Sequence, residues 1–306
     1  MKTKNLIKII PQWQAEKIKF VKASTYFNYQ ALLKKHIFPF LESCVAINKE
    51  IVQDWVLEKL NGGLSLKTTK CLLIVFNNII KFGADKGVVG YEKFCVRFPP
   101  KLAQNTTEIL TKQQHKYILQ YIKNNFSFKN LGIYICLSCG LRIGEVCALT
   151  WKDINLDKQV IVISKTIQRV YSLTNKNNKT QVLIDSPKTT NAYREIPLSR
   201  ELVNIIKNCI KLVNSENYVI SNSLKPIEPR SYRNYYKRFM KKIEMPTIKF
   251  HSLRHSFATR CIESKCDYKT LSCLLGHANI STTLNLYTHP NLEQKKICIN
   301  KMISSL

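Results

Sequence analysis

Gln159-Val-Ile-Val-Ile-Ser-Lys-Thr-Ile167 is a β-branched run, short enough for a strand, in a chain whose apolar patterning is otherwise helical. It decides the fold class. A polar loop follows, Leu173-Thr-Asn-Lys-Asn-Asn-Lys-Thr180, and then two more strand candidates at 181–185 and 193–198. After Ser199 the helical patterning resumes. The expected fold is mainly α with a small antiparallel β-sheet in the second domain (α+β).

Working back from that run, Thr111-Lys-Gln-Gln114 reads as a capping box that opens a helix. Before it, Arg97-Phe-Pro99-Pro100-Lys-Leu-Ala-Gln-Asn105 lacks periodicity and holds two prolines, which marks a linker. The block upstream of the linker is patterned as helices from residue 15. Tyr26, Tyr29, Leu32, Leu33, His36 and Ile37 recur at helical spacing and should stop at Pro39. A second helix spans 47–60 and closes on Asn61-Gly62-Gly63. A third, N-capped by Ser65, runs through Ile80, and a fourth short element leads into Gly87. The domains expected are a helical one at 15–98, a second at 106–290, and a short amphipathic C-terminal helix at 291–306. A chain of 306 residues has room for two cores.

The chain carries 48 Lys+Arg against 20 Asp+Glu, a net charge of +28. An excess of that size, spread along the whole chain, points to nucleic acid. Membrane binding instead concentrates charge on one amphipathic helix or tail. No run approaches the roughly 20 apolar residues of a membrane span. The 11 Cys are odd in number and irregularly spaced, and residues 1–10 hold no adequate apolar stretch of a secretion signal. Reduced thiols in a cytoplasmic protein are expected. Cys136-Leu-Ser-Cys139 has no second pair at zinc-site spacing and sits in an apolar segment, so it reads as core packing.

Six side chains stand out. His251 and Arg254 lie three apart in a segment, 250–264, that reads as a helix, so they share a face. Arg142 follows Gly140 in a turn between two helix candidates, where a guanidinium fork and nearby backbone N–H groups can meet a phosphate. His277 follows Gly276, and Tyr287 comes ten residues later, past Thr282 and Thr283. Lys188 sits between strand candidates, where a lysine can pass a proton to a leaving oxygen. Lys165, Lys176 and Lys179 share that β-rich region. Each has an ordinary alternative: a packed His–Arg pair, an Arg142–Glu145 salt bridge, one tyrosine among 14, one solvated lysine. Taken together they are what a metal-free attack on a DNA phosphodiester needs.

In order and spacing these stretches resemble the catalytic domain of the tyrosine recombinases, the phage-integrase family. The matching segments are Cys139-Gly-Leu-Arg142-Ile-Gly-Glu145-Val-Cys-Ala-Leu-Thr-Trp151, Pro187-Lys188-Thr with Arg194-Glu-Ile-Pro-Leu, His251-Ser-Leu-Arg254-His255-Ser-Phe-Ala-Thr, and Leu-Gly276-His277-Ala-Asn-Ile-Ser-Thr-Thr-Leu-Asn-Leu-Tyr287-Thr-His. They cover 106–290. The helical block resembles the family's core-binding domain through looser motifs. Ser252 stands where the family often has Asp.

The resemblance implies roles. Tyr287 attacks the scissile phosphodiester and leaves a 3′-phosphotyrosyl link; Arg142 and Arg254 hold the non-bridging oxygens; Lys188 protonates the departing 5′-oxygen. His251 and His277 hydrogen-bond the phosphate, and His251 takes the tyrosine proton. Glu145 and His255 serve as structural support. No cofactor and no metal are implied. The implied partners are double-stranded DNA attachment sites, a homo-tetramer assembled on DNA with the C-terminal helix exchanged between subunits, and an accessory directionality factor. The implied place is the bacterial cytoplasm or nucleoid. The implied function is integration or excision of a phage or conjugative transposon, since the β-rich insertion between Trp151 and Arg194 is long. The alternatives are a Xer-type chromosome or plasmid dimer resolvase, a type IB topoisomerase, and a DNA-binding protein that no longer cleaves.

Overall fold

The structure, a computed structural model, describes residues 1–100, 108–171, 180–185 and 193–281, with 284, 296, 299–300 and 302–304 beyond them. Lys188, Tyr287, Thr282, Thr283, Lys176, Lys179 and the polar loop up to residue 179 lie outside the described residues. The chain divides into two compact units, Met1–Gln104 with Val170–Lys179 and Asn105–Arg169 with Thr180–Leu306.

The first unit begins with a helix earlier than expected. α1 (Thr3–Phe20) buries Leu6, Ile9, Ile10 and Trp13, one stripe at i, i+3, i+4 and i+7. Pro11 lies inside it and removes one hydrogen bond, and the buried stripe holds the helix across that gap. α2 (Ala23–Leu32) continues through a π-helical stretch, Leu33–Ile37, into α3 (Phe38–Ser43). The expected stop at Pro39 is therefore wrong. Phe38 N–H bonds the Leu33 carbonyl five residues back, and this wider turn places Pro39 in the first turn of α3, where its missing N–H costs nothing.

α4 (Lys49–Asn61) is capped by the Asn48 side chain, which accepts from Ile51 N–H at 2.9 Å, and it ends at Gly62. α5 (Leu66–Asp85) starts at the Ser65 cap as expected but runs five residues past Ile80. It absorbs part of the expected fourth element, and no regular element follows it before residue 100. Instead the Asn77 side chain pairs with both backbone groups of Phe94 (2.9 and 3.0 Å) and docks that extended segment on α5. Phe40 stacks on Trp55 at 4.1 Å between ring centres, with Phe76 against both, at the centre of this core.

In the second unit, α6 (Lys112–Asn124) opens on the expected capping box: Thr111 Oγ1 accepts from Gln114 N–H and Gln114 Oε1 accepts from Thr111 N–H. α7 (Phe128–Cys139) is apolar almost all round and forms the buried axis of the unit. Cys136 and Cys139 are core residues on it, and burial pushes both thiols up, Cys139 to about 12. α8 (Ile143–Ala148) follows the three-residue turn Gly140-Leu141-Arg142.

The β region is more divided than expected. β1 (Ile154–Asn155), β2 (Val160–Ile163) and β5 (Arg194–Pro197) form one antiparallel sheet in the order β1-β2-β5. β3 (Thr166–Tyr171) and β4 (Thr180–Asp185) form a separate two-stranded sheet. The run at 159–167 is thus two strands, broken at Ser164-Lys165. β2 has used up its partner where Ile163 pairs with Arg194, and the chain turns to pair elsewhere. α9 (Arg200–Ile210), α10 (Pro229–Lys242), α11 (His251–Glu263) and α12 (Tyr268–Leu275) complete the unit. α11 packs along α7, and Tyr232 on α10 donates to the Lys129 carbonyl at 2.7 Å. At the C-terminal end, 299–300 and 302–304 are helical, and Ile299, Met302 and Ile303 are exposed. Among the described residues no helix is long and apolar enough to cross a membrane.

Candidate functional site

The site gathers at the C-terminal end of α12. A helix leaves its last four carbonyls without intrahelical partners. Here Gly276 adopts the left-handed conformation (φ 64), which closes the helix in a Schellman arrangement. His277 N–H bonds the Ser272 carbonyl at 3.1 Å and Gly276 N–H bonds the Cys273 carbonyl at 3.0 Å. The next three carbonyls each accept from a different arginine: Leu274 from Arg194 Nε (2.7 Å), Leu275 from Arg254 Nη2 (2.6 Å), Gly276 from Arg142 Nη2 (3.3 Å). The negative end of the helix dipole favours those cations.

Each arginine arrives from a different element. Arg142 is the N-cap residue of α8, reached through a turn that needs Gly140 at φ 67, where the Phe257 ring leaves no room for a Cβ. Arg254 sits on the inner face of α11, only 3% exposed, and its Nη1 also donates to the Gly140 carbonyl at 2.9 Å. It therefore ties the end of α7 to the end of α12. Arg194 lies on the buried face of β5, two residues from Ile196.

Among the described residues Glu145 is the carboxylate that meets them, 5% exposed. It accepts from Arg142 N–H and Nη1 (2.8 Å each) and from Arg194 Nη1 and Nη2 (3.1 and 2.9 Å). Burial alone would raise its carboxyl. The Arg194 hydrogen bonds and charge, and then Arg142, outweigh burial and hold it down at about 2. The Arg142–Glu145 pair that could have stood instead of a functional role is present, and it leaves the Arg142 side chain 36% exposed. Three guanidiniums against one carboxylate make this a site for an anion.

His251 opens α11, with Arg254 and His255 on its face as the three-residue spacing implied. Its ring meets that of His255 edge-on, with 4.8 Å between centres. Desolvation, then His255, Arg254 and Arg142, lower its pKa to about 4. His277 is brought to about 4 by desolvation, then Arg254, Arg142 and Arg194. Both rings are neutral near pH 7 and can accept a proton. Arg142, Arg254, His251 and His277 thus share one electrostatic neighbourhood, although 135 positions separate the first from the last. Lys188 and Tyr287 lie outside the described residues.

Arg194 gains a part that the sequence reading did not give it, and Lys165, one of the alternative lysines, gains a position. Arg194 was noticed only as part of a matching motif. Its signal was available: in Arg194-Glu-Ile-Pro-Leu198 the alternation places the arginine on the same side as Ile196 and Leu198, and a cation on a buried face demands a carboxylate. Lys165, in the turn between β2 and β3, pairs with Asp153 at 2.8 Å and donates to Thr150 Oγ1 at 2.9 Å. Its neighbour Thr166 packs on Gly144, where a Cβ would meet Thr166 Oγ1 and the Ile167 carbonyl. That close approach brings the β2–β3 turn to the start of α8, beside Arg142.

Residues 108–294 match the model of the phage integrase family. Over 299 aligned residues the chain is 27% identical to a tyrosine recombinase named XerC-like from Caldanaerobacter subterraneus subsp. tengcongensis, covering 90% of this chain and 76% of that one. It is 28% identical over 203 residues to the transposase from transposon Tn916 of Enterococcus faecalis, covering 60% of this chain and 48% of that protein, so it aligns with about half the length of that relative. The fold is similar to that of the Tn1549 transposon integrase solved with transposon right end DNA, with TM-score 0.76 and 23% identity over 99% of this chain and 100% of that one.

Proposed function

Because the chain belongs to the phage integrase family, the tyrosine recombinases, we propose that it is a site-specific DNA recombinase that integrates or excises a mobile element. The observation that carries the reading is the convergence of Arg142 and Arg254 on the end of α12 beside His277, with His251 in the same electrostatic neighbourhood and more guanidinium than carboxylate. In the proposed reaction the Tyr287 oxygen attacks the scissile phosphorus. A Tyr–O–P bond forms, the P–O5′ bond breaks, and the phenolic proton passes to neutral His251. Arg142 and Arg254 hold the non-bridging oxygens as their charge grows, and His277 adds a hydrogen bond. A lysine returns a proton to the 5′-oxygen. Lys188 is the residue named by motif, and the approach of the β2–β3 turn to α8 makes Lys165 its rival. Reversal onto a different 5′-hydroxyl exchanges strands, with no cofactor or metal.

The reading extends to duplex attachment sites bound by the helical domain and the catalytic domain together, and to a homo-tetramer on DNA in which 291–306 is exchanged between subunits. The exposed Ile299, Met302 and Ile303 favour such exchange. It extends also to the bacterial cytoplasm and to an accessory directionality factor. A Xer-type dimer resolvase stays as the second reading, because the XerC-like relative aligns with 90% of the chain.

The test is a set of nicked duplexes tiled across the DNA that flanks the coding sequence. Wild type is expected to form a covalent adduct stable to denaturation, and Tyr287→Phe none. Among lysines, the variant that loses cleavage by about 10²-fold or more, Lys188→Ala or Lys165→Ala, marks the general acid. Absence of a wild-type adduct on every duplex would favour the non-cleaving binder. Relaxation of any supercoiled plasmid would favour a topoisomerase, and resolution of plasmid dimers without an element end the Xer-type reading.

Binding should also take up protons. His251 and His277, at about 4 in the free protein, face a phosphate in the complex, and an opposite charge raises them by about 1–3 units. Affinity measured by fluorescence anisotropy at fixed ionic strength is expected to rise from pH 7 to pH 5 by up to about tenfold per unit for each proton bound. A flat profile, or the same slope in His251→Ala/His277→Ala, would contradict this.

A further inference from the structure

We infer that Arg194 is a positioning residue that keeps Arg142 available to the phosphate by neutralising Glu145; the inference rests on the recombinase reading above. Its side chain is only 6% exposed. β5 pairs antiparallel with β2, with Arg194 opposite Ile163, and the alternation of the strand turns Arg194 and Ile196 inward while Glu195 and Pro197 face out. From there its fork meets both oxygens of Glu145 at 3.1 and 2.9 Å, and its Nε reaches the Leu274 carbonyl at 2.7 Å. Arg142 meets the same carboxylate through Nη1 and reaches the next carbonyl but one, Gly276, through Nη2.

Glu145 is thus shared between two guanidiniums, and only one of them, Arg142, keeps an exposed side chain. The division of labour follows. Arg194 satisfies the carboxylate and cancels its charge, so the Arg142 fork need not commit both of its arms there. Without Arg194 a buried, uncompensated carboxylate would draw Arg142 into a two-pronged pair and would repel the incoming phosphate. Arg194 also anchors Leu274, so the same side chain holds the end of α12, and with it His277, against α8. It acts on the reaction through Arg142 and does not touch the DNA.

The test compares two DNAs in single-turnover cleavage with the full chain: the nicked phosphodiester duplex, and the same duplex with a methylphosphonate at the scissile position. In the latter a methyl group replaces one non-bridging oxygen. That linkage is neutral, so it gains little from a guanidinium and suffers little from an uncompensated carboxylate. Arg194→Met is expected to cleave the phosphodiester about 10- to 100-fold more slowly than wild type, yet to stay within about threefold of wild type on the methylphosphonate. Arg194→Lys, which keeps the charge but not the fork, should fall between. It also carries the test if Arg194→Met fails to fold. Equal slowing on both DNAs would reduce Arg194 to a structural residue and overturn the inference. So would wild-type rates on the phosphodiester in either folded variant. A wild type that forms no adduct on any duplex would remove the recombinase reading and this inference with it, which separates the two failures.

Discussion

Arg254→Ala is expected to slow covalent adduct formation by about 10²- to 10³-fold, the usual cost of losing a donor aimed at developing oxyanion charge. Arg254 is buried, and its two terminal nitrogens already hold the Gly140 and Leu275 carbonyls, so its position does not depend on DNA. Such pre-organisation means that no reorganisation is charged to the chemical step. The substitution also leaves those two carbonyls short of a donor inside the protein. A stability loss of about 1–3 kcal/mol for each is the ordinary consequence of an unsatisfied buried acceptor. The two effects separate experimentally. Urea unfolding reads the second, and single-turnover cleavage by protein that is still folded reads the first. Arg254→Lys should recover part of the stability but little of the rate, because one ammonium cannot span two carbonyls and a phosphate. Cleavage by folded Arg254→Ala within tenfold of wild type would remove Arg254 from the proposed mechanism.

What could be read in the sequence was whatever depends on neighbours along the chain. The Thr111–Gln114 box, the Ser65 cap and the glycine stop after Asn61 are local devices, and local residues announced them. The His251–Arg254 spacing fixed a shared helix face in the same way. The misreadings arose where distant packing overrode local chemistry. Pro39 read as a break, yet a π-helical turn takes it up; the helix around Pro11, upstream of the expected start, is held by the buried stripe of Leu6, Ile9, Ile10 and Trp13. The break between β2 and β3 has no local marker, since Thr166 and Ile167 are as β-prone as Val160; it is set by where β5 runs out. The role of Arg194 escaped notice because its partner is 49 positions away, and only the parity of its strand hinted at a buried charge.

Glu145→Gln should destabilise the second unit by about 3–5 kcal/mol, the cost of removing one partner from a buried ion pair. The carboxylate serves two guanidiniums and a backbone N–H at once. A neutral amide of the same shape can keep some of those contacts but leaves Arg194 buried without its counter-charge. The pH dependence identifies the cause. Folding holds the Glu145 carboxyl at about 2 against an ordinary value of 4.5. The folded state therefore binds fewer protons there than the unfolded one, and its stabilisation, present above pH 4.5, is lost as pH falls towards 2. At 1.36 kcal/mol per unit that is about 3 kcal/mol, in keeping with the figure for substitution. The histidines titrate in a different window. His115, His251 and His277 are at about 4 in the folded state against 6.5, so they too favour the fold at higher pH, and that contribution fades between 6.5 and 4. Urea unfolding of wild type and Glu145→Gln from pH 7 to pH 3 should give a constant gap down to about pH 5 and a narrowing gap below it. A gap under 1 kcal/mol at pH 7, or one that does not narrow in acid, would mean that Glu145 is not the charge on which Arg142 and Arg194 balance.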